Sequence, residues 1–140
     1  MKLSEAKERR NAVEHELTQI HEQMKQLVQE FKAHWRKPWV VHPGVWKGAK
    51  EERAVRWRLR GYDGIGQSWL RFASQEVQSV LDYYRVPAST RLAWLDIDRR
   101  GQALTLRYRV LNMERARLVT YIHEIHDLNA IEDRLRQSQS

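Results

Sequence analysis

Apolar residues between positions 3 and 34 recur at spacings of three and four. One seven-residue series contains Leu3, Arg10, Leu17, Met24 and Phe31, and a second contains Ala6, Val13, Ile20, Leu27 and His34. This a/d heptad pattern predicts a long helix with a narrow apolar stripe, interrupted at Arg10 and His34. Ser4 is a candidate N-cap, and the helix should end near Lys37-Pro38, because proline disfavours helical geometry in the residue before it. A stripe this narrow needs a partner helix.

A second helical pattern follows Leu111, with Asn112 as a candidate cap. Its apolar members are Leu118, Tyr121, Ile122, Ile125, Leu128, Ile131 and Leu135. The two helices could pack antiparallel within one chain, or the N-terminal helix could pair across a dimer axis. We favour a homodimer through the N-terminal helix, because that helix is the longer of the two.

Between these ends the apolar period changes to two. Residues 55–60 alternate Val, Trp and Leu with three arginines, which predicts a half-buried strand with a cationic outer face. Residues 104–110 alternate in the same way, residues 92–98 are strand-like, and Gly101 suits the left-handed position of a turn at 99–102. These features predict a β-hairpin over residues 92–110. A short strand is also expected between Trp39 and Trp46.

Two structures compete for residues 65–84. Ser68 could cap one helix whose apolar face runs from Trp69 to Tyr84. Alternatively, residues 65–72 pair with 54–60 across a turn at 61–64, and a shorter helix begins at Ser74. A helix over 74–84, ended by Pro87, is expected in either case.

The elements together predict an α+β fold: a small antiparallel sheet with a packed helix, bracketed by a long N-terminal heptad helix and a C-terminal amphipathic helix. We expect a helical, coiled-coil segment at 1–37 and a basic Arg/Trp-rich α+β core at 38–110. Residues 111–140 should form the C-terminal helix, which packs on the rest.

The charge is concentrated in the predicted core. The net charge of +7 arises from 25 Lys and Arg against 18 Asp and Glu. Residues 1–34 carry six bases and six acids, and residues 111–140 carry four bases and five acids. Residues 35–110 carry fifteen bases, twelve of them arginine, and seven acids, and they contain all six tryptophans. Such asymmetry is typical of a protein that binds a polyanion.

Several classes of protein are disfavoured. The chain has no cysteine, so disulfides and cysteine-based sites are excluded. No apolar run is long enough for a membrane helix, and the first residues lack a signal-peptide pattern, so a cytoplasmic protein that does not bind membranes is expected. His123 and His126 lie three apart, a weak metal pattern that is more typical of two polar positions on an amphipathic helix. The glycines at 61, 64 and 66 match no nucleotide-binding loop, and we predict no enzyme activity, cofactor or metal.

The arginines of the predicted strands are the candidate binding residues. If both strands share a sheet, the five guanidiniums of 56, 58, 60, 107 and 109 line one surface, which is costly unless an anion neutralises it. Arginine contacts phosphate and base edges, and exposed tryptophan can stack on bases. We expect Trp57 in the core, Trp69 and Trp94 mostly buried, and Trp35, Trp39 and Trp46 more exposed. The candidate nucleic-acid-binding residues are Arg56, Arg58, Arg60, Arg107, Arg109, Arg99 and Arg100.

The order of these features resembles accessory proteins of conjugative DNA transfer, the MobI type. The similarity comprises the helical N-terminus, the alternation over Arg53–Arg60, the run Ser68-Trp69-Leu70-Arg71-Phe72 and the helical C-terminus. It covers about half of the chain and includes no catalytic motif. It implies recognition of an origin of transfer, with DNA as a more suitable ligand than RNA, and a protein partner such as a relaxase. The alternative is a protein–protein adaptor that does not bind nucleic acid.

Overall fold

A computed structural model describes residues 1–59 and 69–139 of the chain. Arg60, the predicted turn at 61–64 and the candidate cap Ser68 lie outside these residues. The described elements are α1 (Leu3–His34), β1 (Val41–Lys47), β2 (Arg53–Leu59), β3 (Trp69–Leu70), α2 (Gln75–Tyr83) and α3 (Ala88–Ser138). A 3₁₀ turn at Ala49–Glu51 joins β1 to β2. The predicted α+β class is confirmed.

The chain divides into two compact units. One unit contains Met1–Thr18 and Val110–Ser140, and the other contains Gln19–Arg109. Helices α1 and α3 therefore contribute residues to both units.

In the first unit, the start of α1 packs antiparallel against α3. Arg9 donates two hydrogen bonds to the Glu114 carboxylate, at 2.7 and 2.8 Å. The Tyr121 hydroxyl donates to the Met1 carbonyl oxygen. The heptad residues Ala6, Val13 and Leu17 are buried, as is Ile122 of α3. Their stripe is therefore covered within one chain, and the partner that the heptads require is intramolecular.

The second unit is built on a three-stranded antiparallel sheet of order β1-β2-β3. Its inner face packs on the second half of α1, on α2 and on the first part of α3. The buried core consists of Leu27, Phe31, Val41, Trp57, Phe72, Val77, Leu81, Trp94 and Ile97. The Trp57 indole N–H donates to Asp98 Oδ1 at 3.0 Å, which satisfies the polar end of this buried ring.

The predicted hairpin over 92–110 is wrong, because these residues lie inside α3. The positions of this stretch that face the sheet are Trp94, Ile97, Asp98, Gly101, Thr105 and Tyr108. Their spacing is helical, but Asp, Gly and Thr interrupt the apolar pattern. Gly101 forms no turn: a Cβ atom there would lie 2.7 Å from Val55 Cγ1, so the glycine lets α3 approach β2. The C-terminal helix thus begins at Ala88 rather than after Leu111.

Of the two structures considered for 65–84, the strand with a shorter helix is confirmed in the described part. β3 pairs with β2, with Trp57 opposite Leu70 and Arg58 opposite Trp69. Ser74 is the N-cap of α2, because its hydroxyl accepts from the Val77 N–H at 3.3 Å.

Candidate nucleic-acid interface

The structure separates the seven predicted arginines. Arg56 and Arg58 lie on β2, and Arg60 falls outside the described residues. The other four lie on α3, which packs against the inner face of the sheet through Val55 and Trp57. Arg56 and Arg58 alternate with those two residues and so project from the outer face. A single surface of five strand-borne guanidiniums is therefore wrong, because α3 is a helix on the opposite side of the sheet.

Two of the four arginines on α3 are neutralised by carboxylates. Arg100 makes a bidentate contact with Glu30, at 3.0 and 2.6 Å, and this contact lowers the pKa of Glu30. Arg109 Nε lies 3.1 Å from Glu52 Oε1. Arg99 and Arg107 are exposed.

The outer face of the sheet is cationic and aromatic. Strand alternation places three residues of β1, three of β2 and one of β3 on this face. They are His42, Gly44, Trp46, Ala54, Arg56, Arg58 and Trp69. None of these seven described residues is acidic. We name His42, Trp46, Arg56, Arg58 and Trp69 the basic-aromatic face.

Trp69 lies across the width of the sheet. The Arg58 guanidinium carbon is 3.8 Å from the centre of its ring, a close cation–π contact. A Cβ atom on Gly44 would lie 2.8 Å from the Trp69 ring, so the indole extends from β3 over β2 to β1. The Trp69 ring thus occupies the space that a side chain at position 44 would need.

A second pair repeats this chemistry at the other end of the hairpin. The Arg56 guanidinium carbon lies 5.7 Å from the centre of the Trp46 ring. Gly48 admits this ring, since a Cβ atom there would lie 2.3 Å from it. Arg56 has no carboxylate partner among the described residues.

Trp39 and two lysines border the basic-aromatic face beside His42. The rings of Trp39 and His42 are 5.1 Å apart, and Lys32 Nζ and Lys37 Nζ lie 5.6 and 5.2 Å from the Trp39 ring centre. Burial and the nearby Lys32, Arg58 and Lys37 lower the pKa of His42, against a hydrogen bond to Pro43 that raises it. The lowered pKa favours the neutral form of His42, so lysine and arginine supply the positive charge here.

Sequence reasoning found Arg56 and Arg58 but placed the tryptophans less well. Trp57 and Trp94 are buried as expected, whereas Trp69 is half-buried on the outer face. Trp35 and Trp39 pack partly against the core. Gly44 is the residue from which the position of Trp69 could have been predicted. A glycine inside a strand often marks a place where another group approaches the backbone closely.

No known protein-family model, curated protein sequence or solved structure matches this chain. In the described residues, no group of three or more His, Asp or Glu side chains is arranged to hold a metal ion. Nor do these residues contain a helix of sufficient length and apolarity to cross a membrane.

Proposed function

We propose that this protein is a non-enzymatic nucleic-acid-binding accessory protein that binds through the basic-aromatic face. One observation carries the proposal: two arginine–tryptophan pairs share a sheet face whose described outward positions include no carboxylate. Lys32 and Lys37 extend the positive charge at its border.

The electrostatics favour a polyanionic ligand. Like charges held close together on one face repel, and a phosphate backbone relieves that repulsion while releasing its own counterions. When a guanidinium stacks on an indole ring, its N–H groups point outward from the edge of the guanidinium plane. They can then donate to phosphate oxygens. The ion-paired Arg100 and Arg109 contribute less to binding, because a carboxylate already occupies part of each guanidinium.

Fluorescence anisotropy with labelled DNA and RNA across a salt series tests this proposal. We expect affinity to fall steeply between about 50 and 200 mM salt. The double variant Arg56→Gln/Arg58→Gln should weaken binding and reduce the slope of log K against log salt by about 1.4–1.8, the loss of two phosphate contacts. Arg117→Gln/Arg134→Gln is the matched control, since it makes the same charge change at two exposed arginines of α3 that are not candidate binding residues. Weak, salt-independent binding to every probe would contradict the proposal.

A role in conjugative DNA transfer is a narrower form of the same proposal and rests on the resemblance of feature order. It requires preference for DNA over RNA of the same sequence, preference for an origin-of-transfer sequence and a cytoplasmic location. It also calls for a partner such as a relaxase. Competition binding with matched DNA and RNA probes tests the first requirement.

The alternative is a protein-interaction module that pairs with a second copy of the chain. The observation that favours it is the end of α3, where Leu128, Ile131 and Leu135 are 50%, 43% and 61% exposed. They continue the helical spacing of Ile122 and Ile125, and no described residue covers them. Because the α1 stripe is buried within the chain, we place the homodimer contact at this end of α3. Light scattering should then give twice the monomer mass, and Leu128→Lys/Leu135→Lys should restore the monomer.

A further inference from the structure

We infer that the basic-aromatic face selects single-stranded over double-stranded nucleic acid, with unpaired bases stacked at Trp46 and Trp69. This inference rests on the proposed function and specifies its ligand.

The shape of the face supports this choice. Most proteins that read duplex DNA insert a helix or a two-stranded ribbon into a groove. The positive surface here is instead the flat side of a three-stranded sheet, and the Trp69 ring lies across it from β3 to Gly44 of β1. Aromatic rings on a sheet surface suit unpaired bases, which offer an open π-face.

The pairing of rings with cations is the second argument. Each tryptophan has a guanidinium beside it, Arg58 at 3.8 Å from the Trp69 ring and Arg56 at 5.7 Å from the Trp46 ring. A base that stacks beside either ring brings its own phosphate within reach of the adjacent arginine. In a duplex the bases are already stacked on each other, so the arginines could reach phosphates but the rings would contribute nothing.

The arginines of the basic-aromatic face lie on one side of the sheet. A duplex is held by cations that reach both of its backbones across a groove. The other side of the sheet is covered by α3, where Glu30 and Glu52 neutralise Arg100 and Arg109. Arg56 and Arg58 thus lie with both tryptophans on one side of the sheet, which suits contact with one backbone.

Competition binding with one sequence as single-stranded DNA, single-stranded RNA and duplex DNA tests the inference. We expect both single strands to bind more tightly than the duplex at equal salt. Trp69→Leu and Trp46→Leu should each reduce single-strand affinity by about 5- to 140-fold, the range for loss of one stacked base. Duplex affinity should change less than twofold. Tyr83→Leu, an exposed aromatic residue on α2, is the matched control and should change neither affinity.

The outcomes separate the inference from the proposed function. Duplex binding that equals or exceeds single-strand binding, with no effect of either tryptophan variant, overturns the inference and leaves nucleic-acid binding intact. Failure of all three probes overturns the proposed function itself. Trp69→Phe, which keeps an aromatic ring at this position, guards against misfolding: it should retain most of the single-strand affinity that Trp69→Leu loses. Equal losses in both variants, with a native circular dichroism spectrum, would contradict stacking at this position.

Discussion

Arg85 has a backbone conformation that is normally occupied by glycine. It follows Tyr84, the C-cap of α2, with φ at 52°, and it closes a Schellman motif. In that motif the Val86 N–H donates to the Leu81 carbonyl and the Arg85 N–H donates to the Asp82 carbonyl, both at 3.0 Å. The hydrogen bonds require the left-handed conformation, which costs a residue with a Cβ atom about 1 kcal/mol.

Arg85→Gly should therefore stabilise the protein by about 1 kcal/mol, less the extra entropy that glycine gains in the unfolded chain. Urea denaturation, followed by tryptophan fluorescence, measures the change. Arg99→Gly is an informative control: Arg99 lies inside α3, where glycine costs about 1 kcal/mol, so its effect should have the opposite sign. A loss of stability in Arg85→Gly would mean that the arginine side chain makes a stabilising contact.

Two histidines make the stability depend on pH. Burial and neighbouring Lys and Arg side chains lower the pKa of both His21 and His42 below 6.5. The unfolded chain therefore binds protons at a higher pH than the folded protein does. The stabilising contribution is complete above about pH 6.5 and is lost as the pH falls through that value towards the folded-state pKa.

Urea midpoints between about pH 7.5 and 5 should thus decrease as the pH falls, and His21→Gln/His42→Gln should flatten the profile. The lowered pKa values of Glu30 and Glu114 act only below about pH 4.5, outside this range. His126→Gln changes an exposed histidine and should leave the profile as it is in the wild type. A double variant as steep as the wild type would rule out these two histidines as the cause.

At the scale of elements, the contact between α3 and β2 reverses the usual rule for a glycine in a helix. Replacement of such a glycine by alanine ordinarily stabilises by about 1 kcal/mol. At Gly101 the added Cβ atom would lie 2.7 Å from Val55 Cγ1 and 2.9 Å from Val55 Cβ, and the latter atom is fixed by the strand backbone.

We expect Gly101→Ala to destabilise by about 1–3 kcal/mol, the cost of overpacking a core contact. Denaturation of the double variant Gly101→Ala/Val55→Gly, compared with Val55→Gly alone, isolates the cause, because glycine at 55 removes both clashing atoms. In that background the alanine should cost little or should stabilise, which would give a coupling energy of opposite sign to the single effect. Strictly additive effects would place the strain elsewhere.

The same contact explains which elements the sequence predicted. Helix α1 and strand β2 were predicted because each has apolar residues on its buried side and polar residues on its solvated side. This periodicity can be read from the local sequence. Residues 92–110 were misassigned because Gly101 and Thr105 face the sheet for reasons that lie in β2: Val55 needs the space above Gly101, and the Val55 N–H needs the Thr105 hydroxyl, 3.0 Å away. The residues near Gly101 in the sequence do not reveal this requirement, because Val55 lies in β2.

The candidate site was predicted in the same partial way. Alternation was enough to place Arg56 and Arg58 on one outward face. Their pairing with Trp46 and Trp69 depends on strand order and register, which join residues from three separate segments. Trp69 was expected to be mostly buried, since a large ring in isolation is most often in a core.

At the scale of the whole molecule, the end of α3 differs from the rest of the chain. Every residue from His126 to Ser138 is exposed, whereas Trp94 to Tyr108 includes several buried positions. A helical segment of this length without packing is marginally stable in water. Hydrogen exchange followed by mass spectrometry should therefore show fast exchange for amides of 126–138 and slow exchange for those of 94–108. Equal protection in the monomer would contradict this, and protection that increases with protein concentration would support pairing with a second copy.

The two units differ in tryptophan content and therefore in intrinsic fluorescence. All six indoles fall within residues 19–109, so the unit that contains residues 1–18 and 110–140 has none. Intrinsic tryptophan emission therefore monitors one unit only, while far-ultraviolet circular dichroism records the helices of both. Melting curves from the two signals will coincide if the units unfold together and will separate if they do not, so this protein can report its own cooperativity without a label.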